Sequence, residues 1–264
     1  MLKFLIVIIA ISFVQSYPLD NEDWSLICQQ NGERCILKGH RDIPESLIIE
    51  EDIIMIEDES RNAVKDPARK WPNATVPYVL HEQFNQDSVR RIEAAMRSIE
   101  KETCIKFIPY NDKMKVQYLR IVDGKKCHST IGYSKDEDRI VILHEQKCLG
   151  RIGKIQHELL HTLGLLHEQA RPDRDRWVQI NWDNIIEGKK YNFEKASEKE
   201  YTTFGLDYNF ESVMHYSPYS FSINKKVPTI IPKVKVDINL IGQRKAATPM
   251  DLKKLRLMYG CKSK

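Results

Sequence analysis

Residues 157–167 read His157-Glu158-Leu159-Leu160-His161-Thr162-Leu163-Gly164-Leu165-Leu166-His167. Two histidines four apart on a helix point their imidazoles the same way. Glu158 stands beside the first of them, where a carboxylate can take a proton from a water held between the rings. Gly164 can adopt a left-handed backbone and end the helix, so that the chain turns and brings His167 back to His157 and His161. Three neutral imidazoles around a divalent ion leave a coordination position open, which is the arrangement of a catalytic zinc rather than a structural one. A structural zinc site is four-coordinate and often thiolate-rich, and no cysteine falls within this run. A single histidine at helical spacing would be an ordinary surface or core residue. The extended HExxHxxGxxH register is far more specific than its first five positions.

The run continues Glu168-Gln169-Ala170-Arg171-Pro172-Asp173-Arg174-Asp175, and downstream lies Ser212-Val213-Met214-His215-Tyr216. The first resembles the extended signature HExxHxxGxxHExxRxDRD of the astacin family of metzincin zinc endopeptidases, and the second is similar to that family's SxMHY Met-turn. The resemblance extends from Asn62 to Cys261. It implies His157, His161 and His167 as ligands of one Zn²⁺, Tyr216 as a further, switchable ligand, and Glu158 as general base. Met214 would be an apolar, polarizable floor beneath the imidazoles. The phenol of Tyr216 could leave the metal when substrate enters and hydrogen-bond the developing oxyanion. The implied fold is α+β with two subdomains. One is a twisted, mostly parallel sheet with an antiparallel edge strand and helices above a cleft. The other is an irregular C-terminal half with a terminal helix.

The chain has 264 residues, enough for one large domain or two modest ones. Lys3 followed by the apolar run Phe4 to Val14 reads as a secretory signal, too short for a comfortable membrane span, with cleavage expected after Ser16. The six cysteines suit an oxidising compartment but allow fifteen pairings, among which sequence alone does not choose. The family resemblance implies Cys104–Cys261 and Cys127–Cys148, which leaves Cys28 and Cys35 to pair with each other or to remain as free thiols. Asn73-Ala74-Thr75 is the only glycosylation sequon and makes Asn73 a candidate acceptor.

Charge divides the chain. Tyr17 to Arg61 holds 12 acidic against 4 basic residues. With Lys3 the only charge before it and the whole chain at +4, residues 62–264 carry +11. An acidic leader on a basic enzyme is a reasonable masking pair. The apolar residues between Ser46 and Ile56 argue against a disordered acidic tail, because they require burial. Astacin-family zymogens are silenced by an aspartate in an FxGD motif that takes the water's place on zinc. The best match here is Ile49-Glu50-Glu51-Asp52, which departs at two of the three defining positions. Asp52 is the chemically sensible blocker, with Glu50 and Glu51 as rivals. Arg61 before Asn62-Ala63-Val64 suggests activation by a trypsin-like protease. By resemblance, the new ammonium of Asn62 would then approach Glu168.

Apolar periodicity predicts a helix over 86–103, and further helices over 153–163 and 249–258. Extended segments are expected at 71–80, 104–109, 115–122 and 139–143, the last as the cleft's edge strand. Such an edge can bind an extended peptide through main-chain hydrogen bonds. The expected organisation is a signal over 1–16, a pro-segment over 17–61 and a catalytic domain over 62–264, without further modules. The expected partners are protein or peptide substrates and the activating protease. Nucleic acid is not expected, nor membrane once the signal is removed, and the product should be a secreted monomer. Arg244 resembles an arginine that some family members place in the pocket after the scissile bond, where it would favour Asp or Glu. The competing reading is a catalytically weak or inactive secreted zinc-binding or toxin-like protein on the same scaffold.

Overall fold

A computed structural model describes residues 24–28, 35–39, 48–54, 66–136, 139–199 and 201–262. The expected signal, Arg61 and Asn62 lie outside these residues. Strands β1 (Trp24–Cys28) and β2 (Cys35–Gly39) form a hairpin, and the short strands β3 (Ile48–Ile49) and β4 (Ile53–Ile54) form a second one. After them come β5 (Thr75–His81), helix α1 (Gln86–Glu102), β6 (Lys106–Pro109), β7 (Leu119–Val122), β8 (Cys127–Thr130) and β9 (Arg139–Leu143). A short helix α2 (Glu145–Cys148) leads to α3 (Ile152–Thr162). The remainder holds only a two-stranded ribbon, β10 (Val178–Ile180) with β11 (Ile230–Pro232), several single 3₁₀ turns, and α4 (Pro249–Tyr259).

Nine strands join in one sheet, in the order β1-β2-β5-β7-β9-β8-β4-β3, with β6 also paired to β5. β5, β6, β7 and β9 are mutually parallel, and β8 runs antiparallel to β9. This corrects one expectation. β9 is not an edge strand, because it is paired on both sides and all five of its residues are buried. On this side the outermost strand from the region after residue 62 is β8, whose sequence Cys-His-Ser-Thr is too short and polar to stand out as a strand. Its free side is covered by β4, which pairs in parallel through Ile53 to Ser129 and Ile54 to Thr130. At the opposite end, β2 pairs in parallel with the end of β5, at Leu80 and His81. Segments before residue 55 thus cover both ends of the sheet, satisfying main-chain groups that would otherwise be open.

The helices are set by ordinary local signals. Asn85 caps α1 by accepting from the Ser88 N–H at 2.9 Å, and Ser88, Ile92, Ala95, Met96 and Ile99 form its buried stripe. α4 starts with a capping box, Thr248 with Asp251, has Pro249 in its first turn, and ends on left-handed Gly260. α3 is buried along nearly its whole length, against α1, β8 and β9. Its Gly153 lets the segment around Arg244 approach closely, since a Cβ there would lie 2.5 Å from the Arg244 carbonyl. Disulfides join Cys28 to Cys35 across the β1–β2 hairpin, Cys104 after α1 to Cys261 after α4, and Cys127 in β8 to Cys148 in α2. Asn73 is exposed, in a left-handed conformation (φ 53°) that asparagine tolerates. Among the described residues no helix is long and apolar enough to cross a membrane.

The core that carries α3 sets its stability. Leu159 is fully buried in that core. Leu159→Ala should lower the unfolding free energy by about 2–5 kcal/mol, the range for a large-to-small change at a packed site. Chemical denaturation checks this, and an unchanged midpoint would mean that the core does not hold the helix.

Candidate metal centre

α3 ends where its sequence implies. Gly164 has φ 102°, its N–H bonds the His161 carbonyl at 2.7 Å, and the chain reverses so that His167 returns to the helix face. The three rings meet with centroids 4.7–5.3 Å apart, and each is held from behind. His157 Nδ1–H donates to the Val213 carbonyl at 2.7 Å, and His161 Nδ1–H to the Leu165 carbonyl at 2.7 Å. His167 Nδ1–H donates to Glu50 Oε2 at 2.9 Å. A proton fixed on Nδ1 leaves the Nε2 lone pair as the ligand atom.

Those nitrogens converge with one carboxylate. His157 and His161 Nε2 are 3.2 Å apart. Asp52 Oδ1 lies 3.2 Å from His167 Nε2 and 3.5 Å from His161 Nε2, and Oδ2 lies 2.9 Å from His157 Nε2. A tetrahedral zinc with bonds of about 2.0–2.1 Å has ligand atoms about 3.3–3.4 Å apart, so the four donors are spaced to hold one ion. The cluster fits the metal in a second way: His167 Nε2 and Asp52 Oδ1 are buried without a hydrogen-bond partner. Two further orphaned atoms belong to the same neighbourhood, Glu158 Oε2 and Tyr216 Oη. The Tyr216 ring lies 4.7 Å from that of His167.

Electrostatics follow from this crowding. Burial lowers His157 to about 3, with Arg244 acting in the same direction, and burial lowers His161 as well, so both are neutral donors. His167 is different: burial opposes its charge, but Asp52 and Glu50 outweigh burial and raise it to about 9, so its Nε2 becomes a ligand atom by giving up a proton to the incoming ion. Asp52 is held well below the usual carboxylate range, because His167 and His157 overcome its burial. Burial, reinforced by Asp52, pushes Glu158 well up, and burial does the same to the Tyr216 phenol.

The Met-turn and α4 hold the floor. Asp251, third in α4, accepts from Ser212 Oγ at 2.5 Å and from the Val213 N–H at 3.1 Å. The Met214 carbonyl accepts from the Glu168 N–H at 3.0 Å, and the Tyr216 N–H donates to Gln169 Oε1 at 3.0 Å. Met214 itself is buried. Glu168 is already saturated: Lys254 Nζ lies at 2.6 Å, Arg171 Nη1 at 3.0 Å and the Asn209 N–H at 2.9 Å. The expected approach of an Asn62 ammonium belongs to the cleaved chain, and Asn62 lies outside the described residues. Glu168 finds its cations internally, and they hold it ionised against its burial. Lys254 and Gln169 left no signal in the sequence. Asp251 did, through the Thr-Pro-Met-Asp cap.

Of the three acidic candidates in the 50–52 turn, only Asp52 reaches the three Nε2 atoms, while Glu50 binds His167 from behind. The glycine missing from the turn is replaced by strain. Glu50 (φ 47°) and Glu51 (φ 72°) are both left-handed, at roughly 1–2 kcal/mol each. Arg244 donates Nη1–H to the His215 carbonyl at 2.9 Å and lines a cavity of about 350 Å³ together with His157, Glu158 and Glu51. A larger cavity of about 860 Å³ near Trp71 and Tyr133 holds none of the imidazoles, so size is not the guide to the chemistry.

Residues 63–260 match the family model for astacin, a peptidase family. The chain is similar to zinc metalloproteinase nas-14 of Caenorhabditis elegans, with 39% identity over 230 residues, 86% of this chain and 44% of that one. It is 34% identical over 229 residues to the human meprin A subunit beta, covering 84% of this chain and 31% of that one. Among solved structures it resembles high choriolytic enzyme 1, a hatching enzyme zinc-protease of Oryzias latipes. That match has a TM-score of 0.66 and 32% identity, and covers 78% of this chain and 99% of that one. The chain spans less than two thirds of the length of each of these curated relatives, from 62% of one down to 26% of another. The imidazole cluster, the turn that closes it and these likenesses lead to one conclusion: the chain belongs to the astacin family of zinc metalloproteinases.

Proposed function

We propose that this protein is a secreted zinc endopeptidase made as a zymogen, hydrolysing peptide bonds with Glu158 as general base. The observation that carries the reading is the convergence of three Nε2 atoms beside two orphaned groups, Glu158 Oε2 and Tyr216 Oη. His157, His161 and His167 would hold the ion, with Asp52 filling the fourth position in the uncleaved chain. When bound, zinc would lower the pKa of a coordinated water toward neutrality and polarise a carbonyl.

The rest falls to the chain's own residues. Glu158, beside His157 with its Oε2 buried and unsatisfied, is placed to take the proton of the attacking water and pass it to the leaving amine. Tyr216 Oη, buried and unsatisfied, is a donor held ready for the oxyanion of the scissile peptide. β8 supplies the main-chain edge on which an extended substrate can lie once β4 has left it. The proposed organisation is a signal over residues 1–16, a pro-segment over 17–61 removed by a trypsin-like protease, and a catalytic domain from residue 62. The family match beginning at residue 63 supports that last boundary.

The direct test is casein hydrolysis after trypsin treatment, with and without a zinc chelator. Turnover should appear on treatment and vanish with the chelator. Glu158→Gln should keep one zinc by elemental analysis and lose about 10²–10⁴-fold in kcat; near-normal turnover would refute the base assignment. Tyr216→Phe should lose about 10²–10³-fold in kcat with its zinc content unchanged. Lost metal at normal activity per zinc would remove the oxyanion role. Peptide-library profiling of the activated enzyme should show Asp or Glu enriched just after the scissile bond, from Arg244. A flat profile there would remove that residue from the specificity pocket.

A further inference from the structure

The sheet has two apolar faces, and among the described residues no helix covers the second. Along β9, Val141 and Leu143 join the core shared with α1 and α3, whereas Ile140 and Ile142 point the other way. With Val79, Val122 and Tyr110 they form an outer face that is buried as well. The leader buries it: Leu26, Cys35 and Leu37 of the β1–β2 hairpin, together with Ile54, complete this cluster. All four lie outside residues 63–260, the span that matches the family. A domain stripped of its leader would carry a contiguous apolar patch there, of the kind that soluble proteins keep covered.

The hairpin is suited to sit on that face as a unit. The Cys28–Cys35 disulfide ties its two strands together, which lowers the ordering cost of docking. β2 adds to the end of β5 by parallel pairing of Ile36 with Leu80 and of Leu37 with His81. Around that pairing the Glu82 N–H donates to the Leu37 carbonyl at 3.1 Å, and the Cys35 N–H to the Tyr110 carbonyl at 3.3 Å. Lys38 Nζ lies 3.2 Å from Glu82 Oε2, and the Leu37 side chain is fully buried. The inhibitory turn is held separately, by the pairs Ile53–Ser129 and Ile54–Thr130 and by the contacts of Glu50 and Asp52. None of these contacts runs through the Arg61–Asn62 bond, so cutting that bond removes none of them.

We propose that the outer face of the sheet is a docking surface for the 24–39 hairpin, which stays bound there as a separate chain after cleavage at Arg61 and tethers the Asp52 turn as a non-covalent inhibitor. Residues 40–47 join the hairpin to the β3–β4 turn. A docked hairpin therefore keeps that turn at the local concentration of a linked ligand, on the order of millimolar for a short linker. Activity then follows release of the hairpin rather than the cut itself. This rests on the reading of residues 17–61 as a leader cut after Arg61 and of Asp52 as the residue that closes the zinc site.

The test takes the full, zinc-loaded chain carrying Arg41→Gln, which keeps the hairpin and the turn on one fragment, and cuts it briefly with trypsin. Native gel filtration followed by mass spectrometry should find the fragment with residues 24–39 co-eluting with the catalytic domain. Casein hydrolysis per enzyme should start low and rise as the cut sample is diluted, because the inhibitor is no longer covalent. Leu37→Ala in the same chain should speed release of the fragment about tenfold or more and bring activity on correspondingly sooner. The changed residue leaves with the leader. Exhaustive ultrafiltration of both cut samples should therefore end at one common activity, which shows that the domain folded alike in each. A fragment that elutes apart from the domain, or a freshly cut parent already as active as the stripped enzyme, would overturn the docking surface. An unaltered release rate in Leu37→Ala would do the same. An inactive stripped enzyme would instead sink the zymogen reading itself.

Discussion

The metal centre depends on three hydrogen bonds that never touch the metal position. The Nδ1–H of each imidazole is anchored behind the ring, two on main-chain carbonyls and one on Glu50. Each anchor fixes the tautomer and the ring plane together, so that three Nε2 lone pairs aim at one point. Rings at the right sequence spacing but free to rotate would bring no such focus. The anchors come from different places: Val213 in the Met-turn, Leu165 in the turn after α3, and Glu50 in the leader. Three chain segments thus meet at the site, and the rest of the fold holds those segments in position.

That dependence explains the weight placed on α4, far away in sequence. Asp251 caps its own helix and binds Ser212 and Val213, while Lys254 one turn later neutralises Glu168 next to His167. Lys254 and Arg171 sit with Glu168 in a buried cluster. Breaking a buried pair by removing one partner is far costlier than losing an exposed one, because a charge is left without compensation. The short C-terminal helix therefore governs both the Met-turn and the loop bearing the third ligand.

The leader does more than cover the site. Its strands pair with β5 at one end of the sheet and with β8 at the other, and between them the acidic turn reaches the imidazoles. Main-chain pairing to β8 sets the register that delivers Asp52, since Ile53 and Ile54 follow it immediately. The acidic leader and basic body inferred from charge counts take a local form here: three adjacent carboxylates against imidazoles and lysines.

Much of this was legible in the chain itself. Helical spacing with a glycine break specifies three histidines on one side of a turn, because period and left-handed tolerance are local properties. The helices α1, α3 and α4 and the strands β5 and β9 follow from apolar periodicity to within a few residues. The tertiary structure decided whatever depends on which segments meet. It placed β8 outside β9, paired Cys28 with Cys35, and set Asp52, rather than either of its two acidic neighbours, among the three Nε2 atoms. It also gave Glu168 an internal cation, Lys254, 86 residues away. Pattern reports the conformation a segment prefers, whereas a partner across space is set by packing and charge compensation, which leave no periodic trace.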